Sequence, residues 1–176
     1  TKDESRVSPE ELKSESLADV LNVVNKGRSV IVSQSYALRA ALGMAGHGAS
    51  LSAPDIAAAV RTGNLVYWLD AGKSRWITDA RYYSLPAVAK ASEPLLTYAK
   101  YYPQGYEGYA IRDTKAAYEN WGVMMSTPAE TQLEGELIRA VVQQEIIGKK
   151  KHNDGATDLV YVSFKSADAV GHHFGY

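Results

Sequence analysis

The chain has 176 residues, 45% of them hydrophobic, with a formal net charge of −1. That length supports one domain with a real core. Charge this balanced, with no basic stripe beyond the solvated run Lys149-Lys150-Lys151, leaves no nucleic-acid footprint, and no apolar stretch is long enough to span a membrane. Cysteine is absent, which excludes disulfides and thiolate metal ligands and leaves the compartment open.

Residues 1–13 are charged and polar and read as an exposed approach. Leu17, Val20, Leu21 and Val24 recur at helical spacing, and Gly27 stands where a C′ residue would end that helix. Ser29-Val30-Ile31-Val32-Ser33 reads as a short buried strand. Tyr36 to Met44 is helix-compatible, a Gly/Ser/Ala-rich loop occupies 48–56, and Asp55 to Val60 forms a short helix. Leu65–Leu69 and Arg75–Thr78 flank Asp70-Ala71-Gly72-Lys73-Ser74, the pattern of a β-hairpin with a Gly-containing turn.

Leu85 to Lys100 is helical in pattern, with Pro86 suited to its first turn and Pro94 breaking or kinking it. Residues 101–127 have weak periodicity and receive no assignment. Thr127-Pro128-Ala129-Glu130 opens a strong helix, with Thr127 as N-cap, Pro128 at the first helical position and Glu130 completing a capping box. Leu133, Leu137, Ala140, Val141, Gln144 and Ile147 extend its inner face, and Gly148 closes it. Leu159 to Phe164 is an apolar run that reads as a buried strand.

Helix followed by strand, repeated around a hairpin, is an α/β pattern. It divides the chain into a core α/β segment at 1–49, an inserted subdomain at 50–125 containing the hairpin (a cap, by the resemblance described below), and a core helix and strand at 126–176. There is no internal repeat, no phosphate-binding glycine loop and no Ser-centred nucleophile elbow. Tyrosine is frequent, with 12 copies, concentrated at Tyr82-Tyr83 and along Tyr98, Tyr101, Tyr102, Tyr106, Tyr109 and Tyr118. Such a cluster either lines a cleft or packs on itself, and packing is the commoner outcome.

The last residues carry the chemistry. Asp168 and His172 are four apart, just past the end of the final strand. That is where open α/β sheets bind ligands, and i, i+4 spacing lets both side chains reach one ion. An oxygen and an imidazole nitrogen suit Zn²⁺ and similar divalent ions. The competing reading makes Asp168 a helix N-cap and His172 a polar surface residue.

The segment Asp158-Leu-Val-Tyr-Val-Ser-Phe-Lys-Ser-Ala-Asp168-Ala-Val-Gly-His172-His-Phe-Gly175 resembles the metal-site segment of the alkaline phosphatase superfamily. The match is to its type I phosphodiesterase/nucleotide pyrophosphatase-like branch, which includes a group of bacterial alkaline phosphatases. There a strand ending "S-x-x-D-x-x-G-H-x-x-G" supplies two ligands to one of two zinc ions, and Asp168 and His172 are the matching positions. Ser33-Gln-Ser-Tyr-Ala37-Leu-Arg39 through Ala45-Gly46-His47 resembles the family's "S-x-K-D-R-x-A … A-G-H" stretch. Tyr67–Asp70, Trp76–Thr78, Tyr82-Tyr83 and Leu85-Pro86 resemble the family's hairpin and the segment after it. The order is collinear over nearly the whole chain.

The resemblance implies a fold that is part of an alkaline-phosphatase-like core sheet with flanking helices. It implies a periplasmic or secreted hydrolase of small phosphate esters, using two zinc ions (other divalent metals are possible) and a covalent phospho-enzyme. Arg39 matches an arginine that holds phosphate oxygens, whereas Ala37 replaces the matching lysine. Losing that cation shifts the expectation from monoesters toward diesters. The family's Thr or Ser nucleophile and its remaining metal ligands match nothing here, so the chain reads as an internal segment of a longer enzyme, inert alone. A non-catalytic binding protein on the same fold is the alternative, and a sulfatase a third.

Overall fold

The computed structural model describes residues 8–50, 54–101, 103–104, 124, 127–149 and 153–174. At its centre is β1 (Ile31–Ser35), all five residues buried. β1 pairs in parallel with β2 (Asn64–Asp70) on one side and with β4 (Leu159–Ser163) on the other. β3 (Arg75–Ile77) runs antiparallel to β2, so the sheet order is β3-β2-β1-β4. The strand expected at 29–33 begins two residues later. Val30 instead makes the tie into β4: its N–H donates to Asp158 Oδ1 at 2.7 Å, and its carbonyl accepts from Leu159 N–H at 2.9 Å.

The pleat sorts side chains to two faces. Val32, Leu65, Tyr67 and Leu69 share one core with Leu137 and Val141 of α6 (Pro128–Val141). This core also takes residues of α4 (Ala87–Lys90) and α5 (Pro94–Tyr101). Val66 and Trp68 point the other way, into a core with Leu38, Ala41, Leu42 and Ala45 of α2 (Leu38–Ala45). α3 (Ala57–Gly63) leads directly into β2. Helices thus cover both faces of a mixed α/β sheet, with short 3-10 turns at Pro9–Glu11 and Gly48–Ser50.

The expected hairpin forms as β2–β3, but in the central sheet. β2 is bonded to β1 along five residue pairs, so the hairpin shares one sheet with segments 1–49 and 126–176. Pro94 does break its helix, and it opens α5 as a first-turn residue. Of the tyrosines, Tyr82, Tyr83 and Tyr98 are buried in the cores, the packing outcome. Tyr102, Tyr106, Tyr109 and Tyr118, with Lys150 and Lys151, lie outside the described residues.

α1 (Leu17–Val24) is where the apolar pattern misleads. Leu17, Val20 and Val24 are 56%, 44% and 69% exposed, while Ala18, Asp19 and Asn22 face inward. The polar residues go in because their partners are there. The Asp19 carboxylate accepts from Ser16 N–H, His47 N–H and the His47 ring, and the Asn22 amide donates to Asn64. The helix ends in a Schellman motif, with Gly27 N–H bonded to Asn22 O and Lys26 N–H to Val23 O. Lys26 therefore holds the left-handed C′ position at φ 52°, one residue before the expected Gly27.

α6 departs from its sequence reading at both ends. Thr127 is the N-cap by position but makes no capping bond with its side chain, which donates instead to Met124 O. No capping box forms, because the Glu130 carboxylate is used elsewhere. At the other end the helix widens into a π-helical turn, Val142–Ile147. The extra residue per turn shifts the phase, so Ile146 is buried and Ile147 is 45% exposed. β4 is half-buried, as the edge strand it is, instead of fully buried as its composition predicts.

Candidate functional site

β1 and β4 are parallel neighbours in register, with Ser35 opposite Ser163. Each is followed, after two residues, by a helix: α2 from Leu38 and α7 (Ser166–Phe174). Both helices therefore begin at the carboxyl edge of the sheet, the edge where ligands bind in this architecture. Arg39 is the second residue of α2 and Asp168 the third of α7.

Asp168 and His172 converge as their spacing predicts, though on the helix after the strand. Asp168 Oδ1 and His172 Nε2 are 3.5 Å apart, both side chains well exposed. Lys165 bonds the other Asp168 oxygen, Oδ2. That hydrogen bond holds the Asp168 carboxyl below the ordinary carboxylate range, helped by the Lys165 and His172 charges. An acid in the first turn also suits the helix macrodipole. Arg39 is exposed at the same sheet edge, and it bonds neither Asp168 nor His172.

The donor set can be tested against zinc on chemistry alone. One carboxylate oxygen and one imidazole nitrogen, 3.5 Å apart, can both reach an ion bound at ~2.0–2.2 Å to each. The Lys165 ammonium already puts a cation on the same carboxylate. Among the described residues no group of three or more His, Asp or Glu side chains could hold a metal ion. By themselves the two side chains fall short of the three or more protein ligands a zinc ion takes.

Two polar clusters escaped the sequence reading. His47 Nδ1 lies 2.9 Å from Asp19 Oδ2 and Nε2 lies 3.0 Å from Leu12 O, two acceptors that suit the doubly protonated ring. Burial works against that charge, but the Asp19 hydrogen bond, the Leu12 carbonyl and the Asp19 and Glu15 charges outweigh it, raising the His47 pKa. With its bonds satisfied, this cluster is a clasp between α1 and the end of α2.

The second cluster is Glu130 and Glu134, one turn apart on α6 and 1% and 2% exposed. Glu130 Oε2 accepts from Ser166 N–H, at the start of α7, at 2.9 Å. Burial pushes both carboxyls upward; hydrogen bonds from Ser166 and Lys165 oppose the rise of Glu130, and the neighbouring Glu130 adds to that of Glu134. The Glu134 backbone carbonyl accepts from Gln34 Nε2, and Gln34 Oε1 accepts from Tyr67 OH. The legible signal was spacing: Glu130, Glu134, Leu137 and Val141 fall on one helical stripe, so the acids sit among core positions.

Compared with family models, with curated proteins and with solved structures, the chain matches none.

Proposed function

We propose that this chain is part of a metal-dependent phosphoric ester hydrolase of the alkaline phosphatase/phosphodiesterase type. Asp168 and His172 hold one zinc of a two-zinc site, and Arg39 binds a non-bridging phosphate oxygen. The nucleophile and the other metal ligands lie outside this chain. The observation that carries this reading is the convergence of Asp168 Oδ1 and His172 Nε2 at 3.5 Å on a helix following a parallel strand, at the edge where Arg39 also stands. By the sequence resemblance the protein is periplasmic or secreted, and its substrate is a small phosphate ester.

Zinc, when bound, supplies Lewis-acid polarisation of phosphoryl oxygens and eases deprotonation of an attacking hydroxyl. This chain's residues bind and orient. Arg39 offers a planar fork matched to two phosphate oxygens. Ala37, at the N-cap of α2, offers no side-chain donor or charge. One cation at this position suits a singly charged diester better than a dianionic monoester. Asp168, now bonded by Lys165, and His172 would hold the metal through a carboxylate oxygen and a ring nitrogen.

The test is an assay of the protein with its flanking sequence, zinc-loaded, on aryl phosphate mono- and diesters. Diester hydrolysis exceeding monoester hydrolysis is expected, with the 176-residue chain alone turning over neither. A monoester preference above about tenfold, ~1.4 kcal/mol, overturns the diester assignment. Ala37 also favours a second reading, a binding protein on the same fold, and zinc-loaded protein that hydrolyses neither ester supports that one.

A further inference from the structure

Eight large apolar side chains are exposed among the described residues, and four of them, Leu17, Val20, Val23 and Val24, stand on α1. The opposite side of that helix is partly polar, with Ala18, Asp19 and Asn22 buried. α1 is therefore inverted. Between its N-cap Ser16 and its C-cap Asn25 it shows solvent no charged side chain at all.

Asp19 and Asn22 are held inward by Ser16, His47 and Asn64. Those bonds fix which face turns in and make no demand on positions 20, 23 and 24. A solvent-facing helix position is best served by Ala, Glu, Lys or Arg, and valine is a poorer helix former. Three valines there weaken the helix and expose apolar surface at the same time. Single exposed apolar residues are ordinary, whereas a contiguous patch rimmed by charge marks an interaction site. Leu17, Val20 and Val24, with the half-buried Leu21, form one continuous stripe along the helix.

We propose that this face is an interface with a second copy of the chain, α1 against α1, antiparallel about a two-fold axis. The charges choose that occupant. Glu15 and Lys26, both exposed, stand two residues before Leu17 and two after Val24. Antiparallel helices that set Leu17 against Val24 of the second copy also set Val20 against its Leu21 and Glu15 against its Lys26. The register that matches the stripe with itself thus pairs opposite charges, and the two-fold axis makes that pair twice. A parallel pairing would set Glu15 on Glu15 and Lys26 on Lys26, like on like. The patch is small beside the roughly 20–30 residues a side of a standard interface, so the dimer is weak, with a Kd on the order of 10–100 μM.

The experiment is analytical ultracentrifugation of the protein with its flanking sequence, from about 5 μM to about 500 μM. A reversible monomer–dimer equilibrium is expected across that range. Val20→Glu, on an exposed face, is expected to keep the fold by circular dichroism and to weaken association at least about tenfold, because it buries a charge among apolar side chains. Glu15→Lys and Lys26→Glu are each expected to weaken association several-fold, and the two together to restore it to within about twofold of the wild type. A protein that stays monomeric throughout leaves α1 to another partner and overturns the proposal. So does association that Val20→Glu leaves undiminished, or a double charge reversal that recovers nothing the single ones lose.

Discussion

The Glu130 carboxylate accepts the backbone N–H of Ser166 at 2.9 Å, so a side chain in the first turn of α6 caps the helix that carries Asp168 and His172. One of the orphan N–H groups at the start of α7 is thereby satisfied from across the fold. Glu130→Ala removes that cap, which is worth ~1 kcal/mol at a typical helix start. Hydrogen exchange at residues 166–172 is expected to accelerate several-fold, with β1 and β2 unchanged. Unchanged protection of α7 contradicts this role.

Glu134 gives a pH dependence of definite sign. Burial and Glu130 raise its pKa above the ordinary 4.5, so the folded state keeps a proton that the unfolded chain has released. Stability then falls as the pH climbs above about 4.5, and goes on falling until the pair ionises in the folded state. Glu134→Gln cannot ionise. Its advantage over the wild type is expected to be small at pH 5 and to grow toward pH 8, reaching about 1 kcal/mol or more. Chemical denaturation at both pH values checks this, and a gap that narrows with pH refutes it.

The clasp between Asp19 and His47 depends on Gly46. Its φ of 73° and ψ of −154° lie in a region that glycine alone occupies freely. A Cβ there would also collide with Ser16 Oγ and both Asp19 carboxylate oxygens. Gly46→Ala is expected to cost on the order of 3 kcal/mol. Because the folded-state pKa of His47 is raised above 6.5, the clasp contributes fully below that value and fades as the pH rises through the raised one. His47→Asn is expected to remove that fading; a wild-type pH profile that the substitution leaves unaltered contradicts the clasp.

Element identity was readable where local chemistry decided it. The Asp70–Ser74 turn announced the hairpin, and Pro94 announced the break before α5. Facing was not readable where tertiary partners decided it. The stripe Leu17, Val20, Val24 reads as an inner face, yet Asp19 and Asn22 turn inward because His47 and Asn64 wait there, from distant parts of the chain. Glu130 reads as the third member of a capping box, yet bonds Ser166, 36 positions away. The π-helical turn in α6 left no trace in periodicity and moved Ile146 inward in place of Ile147. For the site, i, i+4 spacing was enough to bring Asp168 and His172 together. Nothing in the spacing foretold Lys165 on the same carboxylate.

Zinc titration of the protein with its flanking sequence, followed by the ring-nitrogen resonances of its histidines and by competition with a chromophoric chelator, tests the central claim most directly. The His172 Nε2 resonance is expected to shift with bound zinc while the His47 ring stays unperturbed. Asp168→Asn is expected to weaken binding at least about tenfold, and Lys165→Met to tighten it a few-fold by freeing the carboxylate. Zinc binding that survives both Asp168→Asn and His172→Asn, with His172 silent throughout, would contradict the assignment of this pair as metal ligands.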